Sequence, residues 1–205
     1  MDSPKVLMLS KEYPPNIYGG AGVHVDYLTK NLSEIMEVEV RCFGTQKIDE
    51  PKLSVRGFKS ELPGDKFNKV LNPLATDLRI VNKNIRADIV HAHTWYTFPA
   101  GFWAKKLFDL PLVTTVHSLE PLRPWKKEQL GNGYNISSWM EKTGLENSDK
   151  VIAVSAAMKK DILKYYEVEK DKEEIIYNGI DPHQYQYTPR TNKISSFGFD
   201  PEKPY

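Results

Sequence analysis

The sequence predicts an α/β fold, a Rossmann-like parallel sheet with helices on both faces. Three observations carry that prediction. Short apolar, β-rich runs recur along the 205 residues, stretches with helical periodicity separate them, and a glycine cluster stands between the first run and the first such stretch. Strands that alternate with helices join through right-handed βαβ units, which makes the strands parallel and covers both faces of the sheet.

Lys5–Ser10 (KVLMLS) reads as a buried strand. The helix after the glycine cluster places Val25, Leu28, Leu32 and Ile35 on one face. Val38–Phe43 is a second strand and Leu53–Phe58 a weaker one. Asn72-Pro73 reads as an N-cap followed by proline at the first helical position, with Leu74, Leu78, Val81 and Ile85 on the buried side. Asp88–His91 and Leu112–Val116 are strands separated by an apolar helix over Pro99–Phe108. A helix over Tyr134–Glu146, a strand at Lys150–Val154, a helix over Ala156–Tyr166 and a strand at Glu174–Tyr177 follow. Residues 1–181 thus form the domain, and the polar, irregular stretch 182–205 reads as a linker or tail.

Charge is nearly balanced, with 28 Lys+Arg against 27 Asp+Glu, and this argues against nucleic-acid binding. Cys42 is the single cysteine, so a disulfide framework is excluded and a reducing, cytoplasmic setting is expected. The N-terminal apolar run, Val6 to Leu9, is too short for a signal peptide, and no run reaches bilayer length, so no membrane contact is expected.

In parallel sheets of this kind ligands gather at the carboxyl ends of the strands. There the chain carries EYPPNIYGGAGVHVDYL, with Gly19, Gly20, Ala21 and Gly22 opening a helix. Unpaired N–H groups and the helix dipole at such an end favour phosphate, and glycine lets the ligand come close; a tight turn without a ligand is the rival reading. The dinucleotide pattern fails at Val25, and the second strand ends in Arg41-Cys42-Phe43 without the acid a ribose requires. A Walker loop is absent as well.

HAHTWYT places His91, His93, Trp95 and Tyr96 at one strand end. No acid or cysteine at ligand spacing accompanies the histidine pair, so the pattern does not make a structural zinc site, and neither metal nor cofactor is expected. The aromatic and polar mixture suits a sugar, although Trp95 and Tyr96 also read as ordinary core. His117 closes the next strand, where a donor beside developing phosphate charge would stabilise a departing nucleotide; a satisfied structural histidine is the alternative. Arg123 follows it, Lys126 and Lys127 read as a solvated basic loop, and Glu141 reads as helix surface.

KEYPPNIYGGAGVHVDYLTKNL, DIVHAHTWYT, VTTVHSLEPLRPWKKEQLGNGYNISSWMEKTGLENSDKVIAVS and IIYNGID, in this order, resemble the N-terminal half of a bacterial or archaeal glycogen synthase of the family-4 retaining glycosyltransferases. The resemblance covers about the first 180 residues. It implies the N-terminal half of a GT-B architecture, in which this domain holds the acceptor and a C-terminal domain outside this chain holds most of the nucleotide sugar. By position, Gly19 to Gly22 would meet the donor phosphates and His117 would be the catalytic histidine. Glu12, His93, Trp95, Tyr96 and Glu141 would serve the acceptor or sugar, and Asn178–Asp181 would approach the hinge. The Lys-Thr-Gly-Gly loop of the starch-synthase branch is missing, and Thr94 stands where that branch has aspartate.

The resemblance implies retaining glucosyl transfer from ADP-glucose or UDP-glucose to an α-1,4-glucan, with little activity expected of this domain alone. Transfer to glucose 1-phosphate, giving maltose 1-phosphate, is the alternative within the family. A glucan-binding module without catalysis, or an NAD(P)-binding oxidoreductase domain, are the other readings.

Overall fold

Apolar runs that do not alternate need cover on both sides, and the central strand obeys that rule. In the computed structural model, which describes residues 3–62, 69–185, 187, 193–200 and 203, β1 (Lys5–Ser10) is buried along almost its whole length. Leu7 and Leu9 enter one core layer with α2 (Leu71–Val81), α3 (Phe98–Phe108), α5 (Gly133–Glu146) and α6 (Ala156–Tyr165). Val6 and Met8 enter the opposite layer beneath α1 (Gly20–Ile35).

The other strands are β2 (Glu37–Phe43), β3 (Lys47–Asp49), β4 (Leu53–Phe58), β5 (Ile89–His93), β6 (Leu112–Val116), β7 (Lys150–Ala153) and β8 (Glu173–Ile175). They form one sheet in the order β3-β4-β2-β1-β5-β6-β7-β8, parallel throughout except for the β3–β4 pair. The chain builds outward from β1 to β4, returns, and builds the other way from β5. The topological switch point therefore lies between β1 and β5, where such sheets leave a crevice outside their carboxyl ends. No described helix is long and apolar enough to cross a membrane.

Most predicted elements fall within a residue or two of those observed. Three details differ. The buried stripe of α1 runs through Gly22, Val25 and Thr29, whose hydroxyl meets the Tyr13 hydroxyl at 2.9 Å, and Ile35 is left 68% exposed. α2 begins at Leu71 with no side-chain cap; Asn72 instead accepts a hydrogen bond from Ser60 at 3.1 Å. Its inward residues include Thr76, Asp77, Ile80 and Val81, so Leu78 is exposed and Ile85 is buried beyond the helix end. Arg41 is structural: buried on β2, it donates to the carbonyls of Ile80 at 2.6 Å and Asn84 at 2.6 Å, at the C-terminal end of α2. A short α4 (Lys126–Leu130) lies between β6 and α5, and the described part of the tail contains a short helix, α7 (Lys193–Ser196).

Candidate functional site

The loops after β1, β5, β6 and β7 and the segment after β8 enclose a cavity of about 700 Å³ at the switch point. Its walls include Gly19, Gly20, Ala21, Tyr96, His117 and Asn178, so the glycine loop and His117 share one cleft. Gly19 is the N-cap of α1 in extended backbone, and no side chain caps that end. The buried Glu12 carboxylate accepts from the N–H groups of Tyr18 at 3.0 Å and Gly19 at 2.8 Å. Glu12 thus fastens the loop from inside while also lining the cavity. The N–H groups of Gly20, Ala21 and Gly22 head the helix, where an α-helix offers donors without intrahelical partners. Gly22 must lack a side chain, because a Cβ there would lie 2.7 Å from Glu12 Cβ.

β5 persists through His93, which puts His91 and His93 on one face with ring centroids 4.3 Å apart. His93 is fully buried, so it stands behind the cavity rather than in it. Its Nε2 lies 3.0 Å from Met8 Sδ and its Nδ1 lies 3.2 Å from His117 Nε2. A thioether has no proton to give, so His93 Nε2–H donates to the sulfur. His93 Nδ1 then accepts from His117 Nε2–H, an assignment that follows from the network. His117 consequently offers a lone pair on Nδ1, not the donor expected of it. Burial pushes His117 down to about 4, with His24 adding to the effect, so the ring is neutral near pH 7.

His24, on the first turns of α1, completes a cluster in which ligand atoms of His24, His93 and His117 lie within 4.8 Å of one another. Nothing in the sequence links His24 to the other two; the fold does. Tetrahedral zinc, with nitrogens about 2.0–2.1 Å from the metal, needs them about 3.4 Å apart, so the trio would have to close up to hold such an ion.

Thr94, at the end of β5, has φ 65°, a left-handed conformation that is rare for a β-branched residue. Its buried hydroxyl, like the Trp95 indole N–H, has no hydrogen-bond partner among the described residues. Trp95 and Tyr96 stack with centroids 3.7 Å apart. They form the partition between the main cavity and a second one of about 320 Å³, lined by Lys11, Phe43, Lys69, Val70, Thr76 and Leu130 among others.

Lys126 is not solvated: it is 8% exposed and pairs at 2.6 Å with Glu120, which is fully buried. Ser137 Oγ donates to the other Glu120 oxygen at 2.7 Å. Glu141 is not surface either. It is 1% exposed, accepts from Glu120 N–H at 2.8 Å and from the Tyr166 hydroxyl, and braces the Glu120 turn from behind the cavity wall. Burial raises Glu141 to about 7, against the pull of those two hydrogen bonds. Lys127 is exposed, as expected.

The chain matches Glycosyltransferase Family 4 over residues 18–184. It is 41% identical over 208 residues to the alpha-maltose-1-phosphate synthase of Mycolicibacterium smegmatis, covering 98% of this chain and 51% of that protein. A glycogen synthase of Mycobacterium tuberculosis is 28% identical over 91% of this chain and 50% of its own length. The chain therefore spans about half the length of these relatives. Among solved structures, the sucrose-phosphate synthase of Thermosynechococcus elongatus superposes with a TM-score of 0.72 at 16% identity, over 98% of this chain and 54% of that one. Anabaena HepE in complex with UDP-glucose gives 0.64 at 20% identity, over 94% and 48%. These two likenesses bear on the fold.

Proposed function

The chain belongs to glycosyltransferase family 4, and on that premise we propose that it is the acceptor-side half of an enzyme that transfers glucose from a nucleotide sugar to glucose 1-phosphate, forming maltose 1-phosphate. The convergence of the α1 N-terminus, His117 and the Trp95–Tyr96 stack on one cavity at the switch point carries this reading. The glucan-extending reaction expected from the glycogen-synthase resemblance takes second place, because the 41% relative is named for the maltose 1-phosphate product and the glycogen synthase is 28% identical. Nucleotide-sugar donors are supported by the UDP-glucose bound in HepE.

In this proposal the donor pyrophosphate rests on the N–H groups of Gly20, Ala21 and Gly22, where the helix dipole stabilises charge as the bond from glucose C1 to phosphate oxygen breaks. His117 Nδ1 accepts a hydrogen bond from a hydroxyl of the donor glucose and holds it in register. The acceptor pyranose lies against the edge of the Trp95–Tyr96 stack, and its 4-hydroxyl oxygen forms the new bond to C1 with retention while its proton passes to the departing phosphate oxygen. Glu12 holds the loop, His93 holds the His117 ring, and Glu141 holds the Glu120 turn. The C-terminal half supplies the rest of the donor site, so the chain alone is expected to turn over little or no substrate.

The test uses the full-length protein with ADP-glucose or UDP-glucose, offered glucose 1-phosphate or glycogen. A phosphatase-sensitive disaccharide phosphate is expected. Elongation of glycogen with no disaccharide phosphate would overturn the reading in favour of a glycogen synthase.

A further inference from the structure

A neutral acceptor such as a glucan end needs aromatic faces and hydrogen-bonding groups, but no cation. The partition between the two cavities carries cations nonetheless. Lys11, directly after β1, holds its ammonium 3.6 Å from the Tyr96 ring centroid and 4.9 Å from that of Tyr18. Lys126 lies 5.3 Å from the Trp95 centroid on the other ring of the stack. The two lysines differ in compensation. Lys126 is neutralised by Glu120, whereas among the described residues no ion pair or hydrogen bond holds Lys11. Arg123 lines the larger cavity beside Tyr96, and among the described residues its guanidinium donates to the Ser118 hydroxyl at 3.2 Å. No carboxylate among the described residues pairs with it.

A half-buried ammonium without a direct ion pair is a standing cost to the fold. Burial lowers the Lys11 pKa, and Lys126 lowers it further, while Glu12 next to it only partly offsets the two. A phosphate placed against Lys11 would remove that cost, and a neutral sugar would leave it in place. The apolar edge of the Trp95–Tyr96 stack, which borders both cavities, suits a pyranose. The geometry therefore points to a sugar phosphate.

Resting on the reading of the acceptor as glucose 1-phosphate, we propose that Lys11, which lines the smaller cavity with Lys69, recognises the acceptor phosphate and sets the preference for a phosphorylated acceptor, while Arg123 lines the main cavity on the other side of Tyr96. A charge-assisted hydrogen bond of this kind corresponds to roughly 10- to 100-fold in affinity.

The experiment is steady-state kinetics of the full-length enzyme carrying Lys11→Met, Lys11→Arg or Arg123→Gln, with glucose 1-phosphate and with glucose as acceptors. Lys11→Met is expected to raise KM for glucose 1-phosphate roughly 10- to 100-fold and to collapse the preference over glucose. KM for the nucleotide sugar stays within about two-fold, which also reports an intact fold. Lys11→Arg keeps the preference, and Arg123→Gln weakens it less than Lys11→Met does. An unchanged preference in Lys11→Met overturns the assignment while leaving the proposed reaction intact. A rise confined to KM for the donor overturns it in favour of a donor-phosphate role. If the wild-type enzyme makes no maltose 1-phosphate, the reaction and the assignment fall together.

Discussion

Two glycines two residues apart would be interchangeable if the loop were only a flexible turn, and the structure predicts that they are not. A methyl group on Gly22 would lie 2.7 Å from Glu12 Cβ, 2.8 Å from Glu12 Oε2 and 3.2 Å from Ile17 Cγ1. Carbon contacts become favourable near about 3.5–4.0 Å, so Gly22→Ala demands a shift of about 1 Å. Glu12 cannot absorb it by rotating, because its Cβ follows β1 closely and its Oε2 holds the N–H groups of Tyr18 and Gly19. Overpacking of this kind costs about 1–3 kcal/mol, and the helix propensity of alanine returns less than about 1 kcal/mol in a first turn. A net loss of about 1–2 kcal/mol lowers Tm by roughly 2–8 °C at this chain length. A 1 Å displacement of the phosphate-facing amides costs roughly 100-fold in kcat/KM. A Cβ on Gly20 meets nothing within 4 Å, so Gly20→Ala should stay within about 0.5 kcal/mol of wild type. The assay is thermal unfolding of both variants, with kcat/KM measured in the full-length enzyme. Equal Tm values for the two variants would refute the role given to the Glu12 contact.

Three further predictions test the walls of the site. Lys126→Met leaves the buried Glu120 carboxylate without its cation and should cost about 3–5 kcal/mol by urea unfolding; a loss under about 1 kcal/mol would show the pair to be incidental. Burial raises Glu141 from 4.5 to about 7, so the stability it contributes is full below about pH 4.5 and is lost as pH rises through about 7. Glu141→Gln mimics the protonated form and should exceed wild type at pH 8 by up to about 3 kcal/mol; parallel pH profiles would refute this. Trp95→Phe keeps the stacked ring and removes an indole N–H that has no partner among the described residues. It should leave Tm nearly unchanged and raise KM for the acceptor about 5- to 10-fold if that N–H serves a sugar hydroxyl.

What could be read from the sequence divides along physical lines. β1 and β6 emerge with the predicted bounds because each is an uninterrupted run in a sheet covered by helices. Helix registers were less legible wherever a polar residue turns inward. Asp77 on α2 is fully buried, neither carboxylate oxygen has a hydrogen-bond partner among the described residues, and burial raises its pKa well above the ordinary value. With Thr76 and Asp77 turned inward, Leu78 falls at the surface, against the apolar count. The glycine loop and His117 could be assigned to one cleft from connectivity, since strand carboxyl ends share an edge. His24 and Lys11 could not. Their meaning arises from neighbours far along the chain, and His24 in particular reads as any polar residue of an amphipathic helix until His93 and His117 are folded against it.

The overall charge of +1 argues against a polyanionic partner and yet says little about the cleft, because compensation is local. Arg41 is matched by Glu39 at 2.7 Å and Lys126 by Glu120 at 2.6 Å, so each of those cations is consumed by the architecture. Lys11 and Arg123 are matched by no carboxylate among the described residues, and both border Tyr96. Two cations without an ion pair thus stand beside the Trp95–Tyr96 stack. The donor diphosphate is anionic in either reaction, so what bears on the acceptor is that Lys11 lines the smaller cavity and not the one lined by the α1 N-terminus. On the proposed reading, Lys11→Met is therefore the substitution that separates a phosphorylated acceptor from a glucan end.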